Sequence, residues 1–224
     1  MKKIVLVLLM SCSISWAQES IKKNLGDFNT LKVYNGLEVE LEKSSKSRVE
    51  IVGEQAEDVV VVNSDGVLKV RLRIPDSFVP EDVRIVLFYK NDIDVLDANE
   101  GGKIVSEKRI NQQHLEVKVQ EGAFIDLDIK VKHLVVKSVT GGNIELMGDA
   151  ENQTIEATTG GEYSAYDLKS NNVNVTAASG AKVEVYSSEI LDAKVRFGGT
   201  IHYKGTPEVL TTKKIIGGKI IDKN

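Results

Sequence analysis

The 224-residue sequence contains one cysteine and three prolines, and its only long apolar run stands at the N-terminus. One cysteine excludes an intrachain disulfide framework and any zinc site built from several thiolates. No later apolar run approaches the roughly 20 residues that a membrane-spanning helix needs, so no transmembrane span is expected. The net charge of −4 disfavours sequence-independent binding to nucleic acid, which requires dense Lys and Arg. We therefore expect no nucleic-acid partner.

What the chain does contain is typical of a globular β protein. Charged residues make up 28% and apolar residues 42%, which excludes wholesale disorder. The 18 glycines and the many valines and isoleucines favour strands and turns over helices.

The N-terminus has the pattern of a secretory signal. Two lysines precede the apolar run 4–10, and small residues occupy the positions before a cleavage point between Ala17 and Gln18. This pattern predicts a signal peptide over 1–17 and an exported protein in the periplasm, on the outer-membrane surface or secreted. A second interpretation remains open: Leu9-Met10-Ser11-Cys12 resembles a lipoprotein box, in which Cys12 would be lipidated.

A repeat of about nineteen residues organises the second half of the chain. Its corner glycines are Gly101, Gly122, Gly141, Gly160, Gly180, Gly198 and Gly217, at intervals of 21, 19, 19, 20, 18 and 19 residues. Small or apolar residues alternate with polar ones on both sides of each glycine, which indicates two short strands joined by a turn. The pattern predicts an all-β fold, a single-stranded β-solenoid or parallel β-helix with coils of about nineteen residues. An antiparallel sandwich is the alternative.

The first half also reads as strands, without a clean repeat. Asn35-Gly36 lies between two alternating runs and marks a hairpin or a corner. We expect these strands to form the first, wider and less regular coils of one continuous domain over 28–224. The segment 18–27 is expected to be a short lead.

Several stretches together resemble a known family. They are Leu31-Lys-Val-Tyr-Asn-Gly-Leu-Glu-Val-Glu-Leu41, Arg48-Val-Glu-Ile-Val-Gly53 and Phe197-Gly-Gly-Thr-Ile-His-Tyr-Lys-Gly-Thr-Pro207. With the serial glycine corners, they make residues 28–220 similar to the head GIN domain family, labelled a "putative auto-transporter adhesin". The resemblance implies a β-helical fold and an exported protein. It implies no catalytic residue.

Outward positions that recur in every coil form columns along a solenoid and can build binding surfaces. A basic column contains Lys118, Lys137, Lys194 and Lys213, and an acidic column contains Asp126, Glu145 and Glu184. These columns are candidates for binding an anionic or sugar ligand. They are equally the charged faces that would keep a rod soluble.

His114 and His133 occupy the same position in successive coils, followed there by Asn152 and Asn172. Two stacked imidazoles could hold a transition metal. The alternative is a polar corner ladder that satisfies turn backbone groups. The sequence contains no cofactor motif, and we predict no cofactor.

These features predict a binding, adhesin-like or scaffolding module at the cell envelope, with a surface glycan or an envelope protein as partner. The last coil would expose a strand edge, which predicts a homo-oligomer formed through it. A β-helical enzyme that cleaves polysaccharides is the alternative and would need convergent carboxylates. The only local acidic clusters are Asp92, Asp94 and Asp97, and Asp126 with Asp128, so we do not expect an enzyme.

Overall fold

The computed structural model describes residues 20–74 and 83–224. The signal segment 1–17, the cleavage point at Ala17 and Gln18, and the lipidation candidate Cys12 lie outside the described residues. Among the described residues, no helix is long and apolar enough to cross a membrane.

Strands dominate the described residues, with one short 3₁₀ turn at Ala56–Asp58. The strands are β1 (Ser20–Asn24), β2 (Thr30–Val33), β3 (Glu38–Lys43), β4 (Arg48–Val52), β5 (Val59–Ser64), β6 (Val67–Leu72), β7 (Arg84–Tyr89), β8 (Val95–Ala98), β9 (Lys103–Val105), β10 (Ile110–Val119), β11 (Phe124–Ser138), β12 (Asn143–Ala157), β13 (Glu162–Ala165), β14 (Leu168–Ala178), β15 (Lys182–Tyr186), β16 (Ile190–Arg196), β17 (Thr200–Lys204), β18 (Val209–Ile215) and β19 (Lys219–Asp222).

Successive coils pair in parallel at the spacing of the glycine repeat. The register partners Phe124 and Asn143, and then Asn143 and Glu162, are each nineteen residues apart. Parallel pairing continues through β14–β16–β18 and β15–β17–β19. This register confirms the β-solenoid and excludes the antiparallel sandwich, in which neighbouring strands would run in opposite directions.

The coil walls form three sheets. Sheet A contains the strands that run toward the glycine corner: β6, β2, β8, the latter parts of β10, β11, β12 and β14, then β16 and β18. Sheet B contains the strands that leave it: β7, β3, β9, the first parts of β11 and β12, then β13, β15, β17 and β19. Sheet C is short and stacks 110–112, 129–131, 148–150 and 168–170.

Inward side chains stack in columns to form the core. One column of sheet A contains Leu115, Leu134, Gln153, Val173 and Leu191, each at most 2% exposed. Burying such apolar side chains is the dominant stabilising term of the fold. Gln153 is the polar member of this column. Its amide oxygen accepts a hydrogen bond from the Tyr163 hydroxyl (2.7 Å) and its nitrogen donates to Ser170, so this buried polar group is satisfied.

The corner at Gly160 and Gly161 shows why glycines mark the repeat. Gly160 has φ +71°, a left-handed value that glycine adopts without strain. It follows Thr159, which is also left-handed at φ +51°, so the two residues together form the turn. A Cβ on Gly161 would lie 2.2 Å from the Ser138 carbonyl oxygen of the preceding coil. The first glycine thus supplies the turn, and the second permits the close approach of two coils.

The N-terminal coils follow a different order in space from their order in the sequence. The β2–β3 coil lies between the β6–β7 coil on one side and the β8–β9 coil on the other. Beyond the β6–β7 coil, β5 pairs antiparallel with β6, β4 pairs antiparallel with β7, and β1 pairs antiparallel with β4. The expected first coils are therefore present. The segment 18–27, expected to be a short lead, contributes strand β1. The antiparallel strands β1, β4 and β5 cover this end of the solenoid.

The C-terminal end carries no such cover in the part of the chain that the structure describes. The Lys219 amide donates to Gly199 of the preceding coil and the Lys223 amide to Tyr203. Because amides alternate in direction along a strand, the amide of Ile220 points to the free edge of β19. The same alternation directs the amides of Leu210, Thr212 and Lys214 to the free edge of β18.

Candidate functional site

The basic column lies on the outer surface of sheet A. Its predicted members are in register across the coils, although Glu156 and Thr176 separate Lys137 from Lys194. Glu116 binds the ammonium groups of both Lys118 and Lys137, at 3.1 and 3.0 Å. The positive charge of this column is therefore partly neutralised locally, and it does not form a continuous basic stripe.

The glutamate that joins these lysines has a perturbed pKa. Burial alone would raise the pKa of Glu116, but hydrogen bonds from Lys137 and Lys118 outweigh that effect and lower it. The bridge consequently persists at neutral pH.

The acidic column lies on sheet B, on the other side of the glycine corner. Asp126, Glu145, Ser164 and Glu184 follow one another in register. Burial and the neighbouring charge of Glu145 raise the pKa of Asp126. Glu184 binds Lys182 at 2.8 Å. The two predicted columns thus occupy separate sheets and cannot contact one small ligand together.

A shallow cavity of about 250 Å³ follows the acidic column. Tyr166 lies at its side, with the Lys204 ammonium 4.5 Å from its ring centre. Burial, and secondarily the charge of Glu184, raises the pKa of Tyr166 to about 12. This tyrosine therefore presents a neutral hydroxyl at physiological pH.

The two histidines of the corner ladder stack on one another. The rings of His114 and His133 are 5.0 Å apart at an interplanar angle of 12°. Asn152 donates to the Lys132 carbonyl (3.3 Å), and Asn172 donates to Asn152 (3.0 Å). Within residues 20–74 and 83–224, no group of three or more His, Cys, Asp or Glu side chains could hold a metal. The amide members of the ladder bind the corner backbone and one another.

Within the two acidic clusters, Asp92, Asp97 and Asp128 each bind a basic side chain, whereas Asp126 shares the cavity of the acidic column with Glu145 and Glu184. Asp92 binds Lys43 at 3.0 Å, Asp97 binds Lys32 at 2.9 Å and Asp128 binds Arg109 at 2.8 Å. These carboxylates balance lysine and arginine charges of the structure instead of facing one another across a cleft.

A polar groove of about 390 Å³ runs along sheet C, where the sequence patterns above predict no site. Its floor is a register column of Asn111, Lys130, Asp149 and Lys169. Each stands eleven residues before a corner glycine, so the repeat that located the other columns contained this signal as well. The column contains an amide, an acidic side chain and two basic side chains, so no single residue type recurs along it as a sequence signal.

Neighbouring side chains fix the groove. Arg109 binds Asp149 at 3.3 Å as well as Asp128. The Lys169 ammonium lies 4.0 Å from the ring centre of Tyr186. Below the floor, buried Gln112 donates to the Ile93 carbonyl at 2.8 Å. The groove therefore offers hydrogen-bond donors and acceptors at the coil spacing of about 4.8 Å, on a rigid wall.

Several solved structures are similar to this fold. A structure described as a "putative adhesin" from Bacteroides fragilis has a TM-score of 0.83 and 19% identity over 93% of this chain and 98% of its own. A "putative adhesin" from Parabacteroides distasonis has a TM-score of 0.75 and 19% identity over 92% and 97%. A "putative lipid binding protein" from the same organism has a TM-score of 0.68 and 20% identity over 91% and 96%. At these identities the likeness establishes the fold alone.

No curated protein sequence matches the chain. A family profile does, and its match to residues 27–207 agrees with the extent of the resemblance seen in the sequence. That profile is described as "Putative auto-transporter adhesin, head GIN domain" and covers more than half of the chain. The chain therefore belongs to the head GIN domain family.

Proposed function

We propose that this protein is an exported, adhesin-like module that binds a surface glycan in the groove on sheet C. Membership of an adhesin family supports a surface or exported protein without enzymatic activity. The signal peptide over 1–17, with cleavage between Ala17 and Gln18, is the proposed route of export.

The observation that carries the glycan proposal is the groove column itself. Asn111, Lys130, Asp149 and Lys169 present donors and acceptors at three successive spacings of about 4.8 Å. Such a ladder suits a chain of sugar units, whose hydroxyls recur along its length and act as both donors and acceptors. The side chains that line the groove are mostly polar or charged, with Val131 and Ala150 as the apolar exceptions, whereas a lipid chain or a buried protein anchor would require a mainly apolar lining.

The test is a glycan and polysaccharide array on the full chain, with a turnover assay on every glycan that binds. We expect binding without cleavage. The double variant Lys130→Ala, Lys169→Ala should weaken binding at least about tenfold, because it removes two charge-assisted donors from the groove. The control is Lys46→Ala, Lys90→Ala, which removes the same charge from the N-terminal end.

Other outcomes have clear meanings. Cleavage would support the polysaccharide-cleaving alternative. Loss of binding in both double variants would show a general charge effect and contradict a site in the groove. An array without any bound glycan would favour an envelope protein as the partner.

Self-association through the last coil is a second candidate. The free edges of β18 and β19 favour it, as do Val209 and Leu210, which are 52% and 46% exposed. Sedimentation velocity should show a complex that Ile220→Pro abolishes, because proline removes the amide that points to the free edge. Ile220→Val retains that amide and should leave the complex intact. An oligomer that survives Ile220→Pro would exclude this edge.

A further inference from the structure

A second cavity lies beside the glycine corner, on the outer side of sheet A. Its volume is about 210 Å³. The polar and aromatic side chains that line it are Glu156, Thr158, Thr176, Ser179, Arg196 and Phe197. The cavity exists because Ala178, one coil before Arg196 in the same register column, is too small to fill its outward position.

Arg196 is the most informative residue of this cavity. Its Nε atom is buried and has no hydrogen-bond partner. The guanidinium also forms no ion pair with a carboxylate in the described part of the chain, although Glu156 lines the same cavity. A buried donor without an acceptor is costly, and native structures rarely keep one without a reason. Arg196 lines the cavity, and its guanidinium donates to no acceptor in the described part of the chain, which leaves its donors for an external acceptor.

Phe197 is unusual for a different reason. It is 56% exposed, and its φ is +48° in the left-handed region, where a bulky residue is strained. The equivalent corner positions of the three preceding coils hold Thr140, Thr159 and Ser179, and that of the following coil holds Ile216, which is also exposed and left-handed. Because the left-handed conformation recurs at the corners of successive coils, the exposed aromatic ring, and not backbone strain, distinguishes Phe197.

We infer that this cavity binds an acidic sugar unit, of the uronic or sialic type, with its carboxylate on Arg196 and an apolar face on Phe197. Planar guanidinium groups match carboxylates in bidentate geometry. An exposed aromatic ring packs against the C–H groups of a ligand while the polar edge of that ligand stays free. Thr158, Thr176 and Ser179 supply hydroxyls for the sugar hydroxyls, and Glu156 accepts a hydrogen bond from one of them.

The composition of the cavity also selects among anions. Glu156 would repel a compact dianion such as phosphate or sulfate, but it suits a ligand with one negative charge and several hydroxyl donors. This inference goes beyond the proposed function, because the cavity lies on sheet A and shares no residue with the groove on sheet C.

The experiment compares carboxylated glycans with their carboxyl-reduced counterparts, which keep the same sugar skeleton and linkages. The full chain should bind the carboxylated member about tenfold more tightly. Arg196→Gln should remove that preference, because the charge-assisted donor is lost. Lys46→Gln is the control: it removes one positive charge at the N-terminal end, from a side chain that neither lines the cavity nor belongs to a candidate binding column. It should change the affinity less than about twofold.

Phe197→Asn tests the ring separately. Asparagine tolerates the left-handed conformation, so the melting temperature should stay the same or rise. The affinity for the carboxylated glycan should nevertheless fall about fivefold, since the stacking surface is gone. A variant that melts higher and binds less cannot be dismissed as misfolded.

Three results would overturn the inference: equal binding of the carboxylated and reduced glycans, an Arg196→Gln variant that keeps the preference, or an equal loss in Lys46→Gln. If groove variants abolish binding while Arg196→Gln has no effect, the proposed function stands and this inference fails. If the array shows no binding, methyl glucuronide is titrated against methyl glucoside by NMR. A shift of the Arg196 Nε–H signal with the glucuronide alone would support this site even though the proposed groove had failed.

Discussion

At the N-terminal end, antiparallel strands β1, β4 and β5 cover the outermost coil, whereas at the C-terminal end β18 and β19 each keep a free edge within the described residues. Each end of a solenoid has strand edges that could pair with another chain, and the two ends of this molecule limit that pairing in different ways. One end uses additional main chain to cover its coil. The other relies on side chains.

The side chains that guard the C-terminal end are charged residues in inward positions. Lys214 continues the column of buried Val195, and Asp222 continues that of Tyr203. A charge at such a position disfavours stacking another coil on top, since the charge would be buried. Asn224 also binds the backbone of Gly205 through both its amide oxygen (2.9 Å) and its nitrogen (2.8 Å). The comparison indicates that core packing stabilises the first end and that charge protects the second.

The largest effect expected from this comparison is on core packing. Leu87, fully buried on β7 between β3 and β4, should lose about 3 kcal/mol of unfolding free energy when changed to alanine. Ile220, only partly buried on the last coil, should lose about 1 kcal/mol for the equivalent change. Urea unfolding of the two variants measures the difference. Equal losses would mean that the two ends are equally well packed.

The next effect concerns one outward column that reaches both ends. Lys32 donates to nearly buried Asp97, and this hydrogen bond raises the pKa of Lys32. Lys32→Met should cost about 1 kcal/mol at pH 7, because it leaves the Asp97 carboxylate without its cation. Lys213→Met, in the same column near the C-terminal end, should change the stability by only a few tenths of a kcal/mol.

The pH dependence of this pair gives an independent check. The pKa of Lys32 is higher in the folded than in the unfolded chain, where it is 10.5. Its contribution to the free energy of unfolding is therefore fully present at pH values below 10.5. This contribution is lost as the pH rises through the pKa that Lys32 has in the folded chain. The difference between wild type and Lys32→Met should therefore be constant from pH 7 to pH 9 and shrink only in strongly alkaline solution.

Lys214→Val is expected to have the smallest effect on stability. It is also the most direct test of whether an inward charge in the last coil limits association at this edge. The substitution continues the apolar column of Ala157, Ala177 and Val195 and removes the inward charge. Sedimentation velocity should show stronger end-to-end association than in wild type. Lys213→Val, which changes the neighbouring outward residue, is the control. Equal association of both variants would show that inward charge is not what protects this edge.

Local patterns predicted the repetitive half of the fold because every coil obeys the same short-range rules. Alternation and the glycine corners were enough to place Leu134, Gln153 and Val173 in one inward column. The order of the N-terminal coils could not be predicted in this way. It depends on β7 entering between β3 and β4, which is a long-range pairing without a local sequence signal.

For the candidate sites, sequence periodicity gave positions but not partners. The lysines of the basic column are in register, yet the neutralisation of Lys118 and Lys137 depends on Glu116, which belongs to a neighbouring column. The groove was missed because Asn111, Lys130 and Asp149 share a position but not a chemical type. The Arg196 cavity was missed because it depends on a small residue, Ala178, in the adjacent coil.

The position of the β2–β3 coil between coils made from later residues also sets an order of assembly. One neighbour of this coil is complete only at about residue 89 and the other only at about residue 105, so its contacts are non-local and slow to form. The C-terminal coils, in contrast, can add one after another to a finished template, as in other solenoids. Folding is therefore expected to nucleate over residues 28–105 and then to propagate coil by coil toward Asn224. We expect insertion of the β2–β3 coil between its two neighbours to be the slowest step, after which the remaining coils add one at a time.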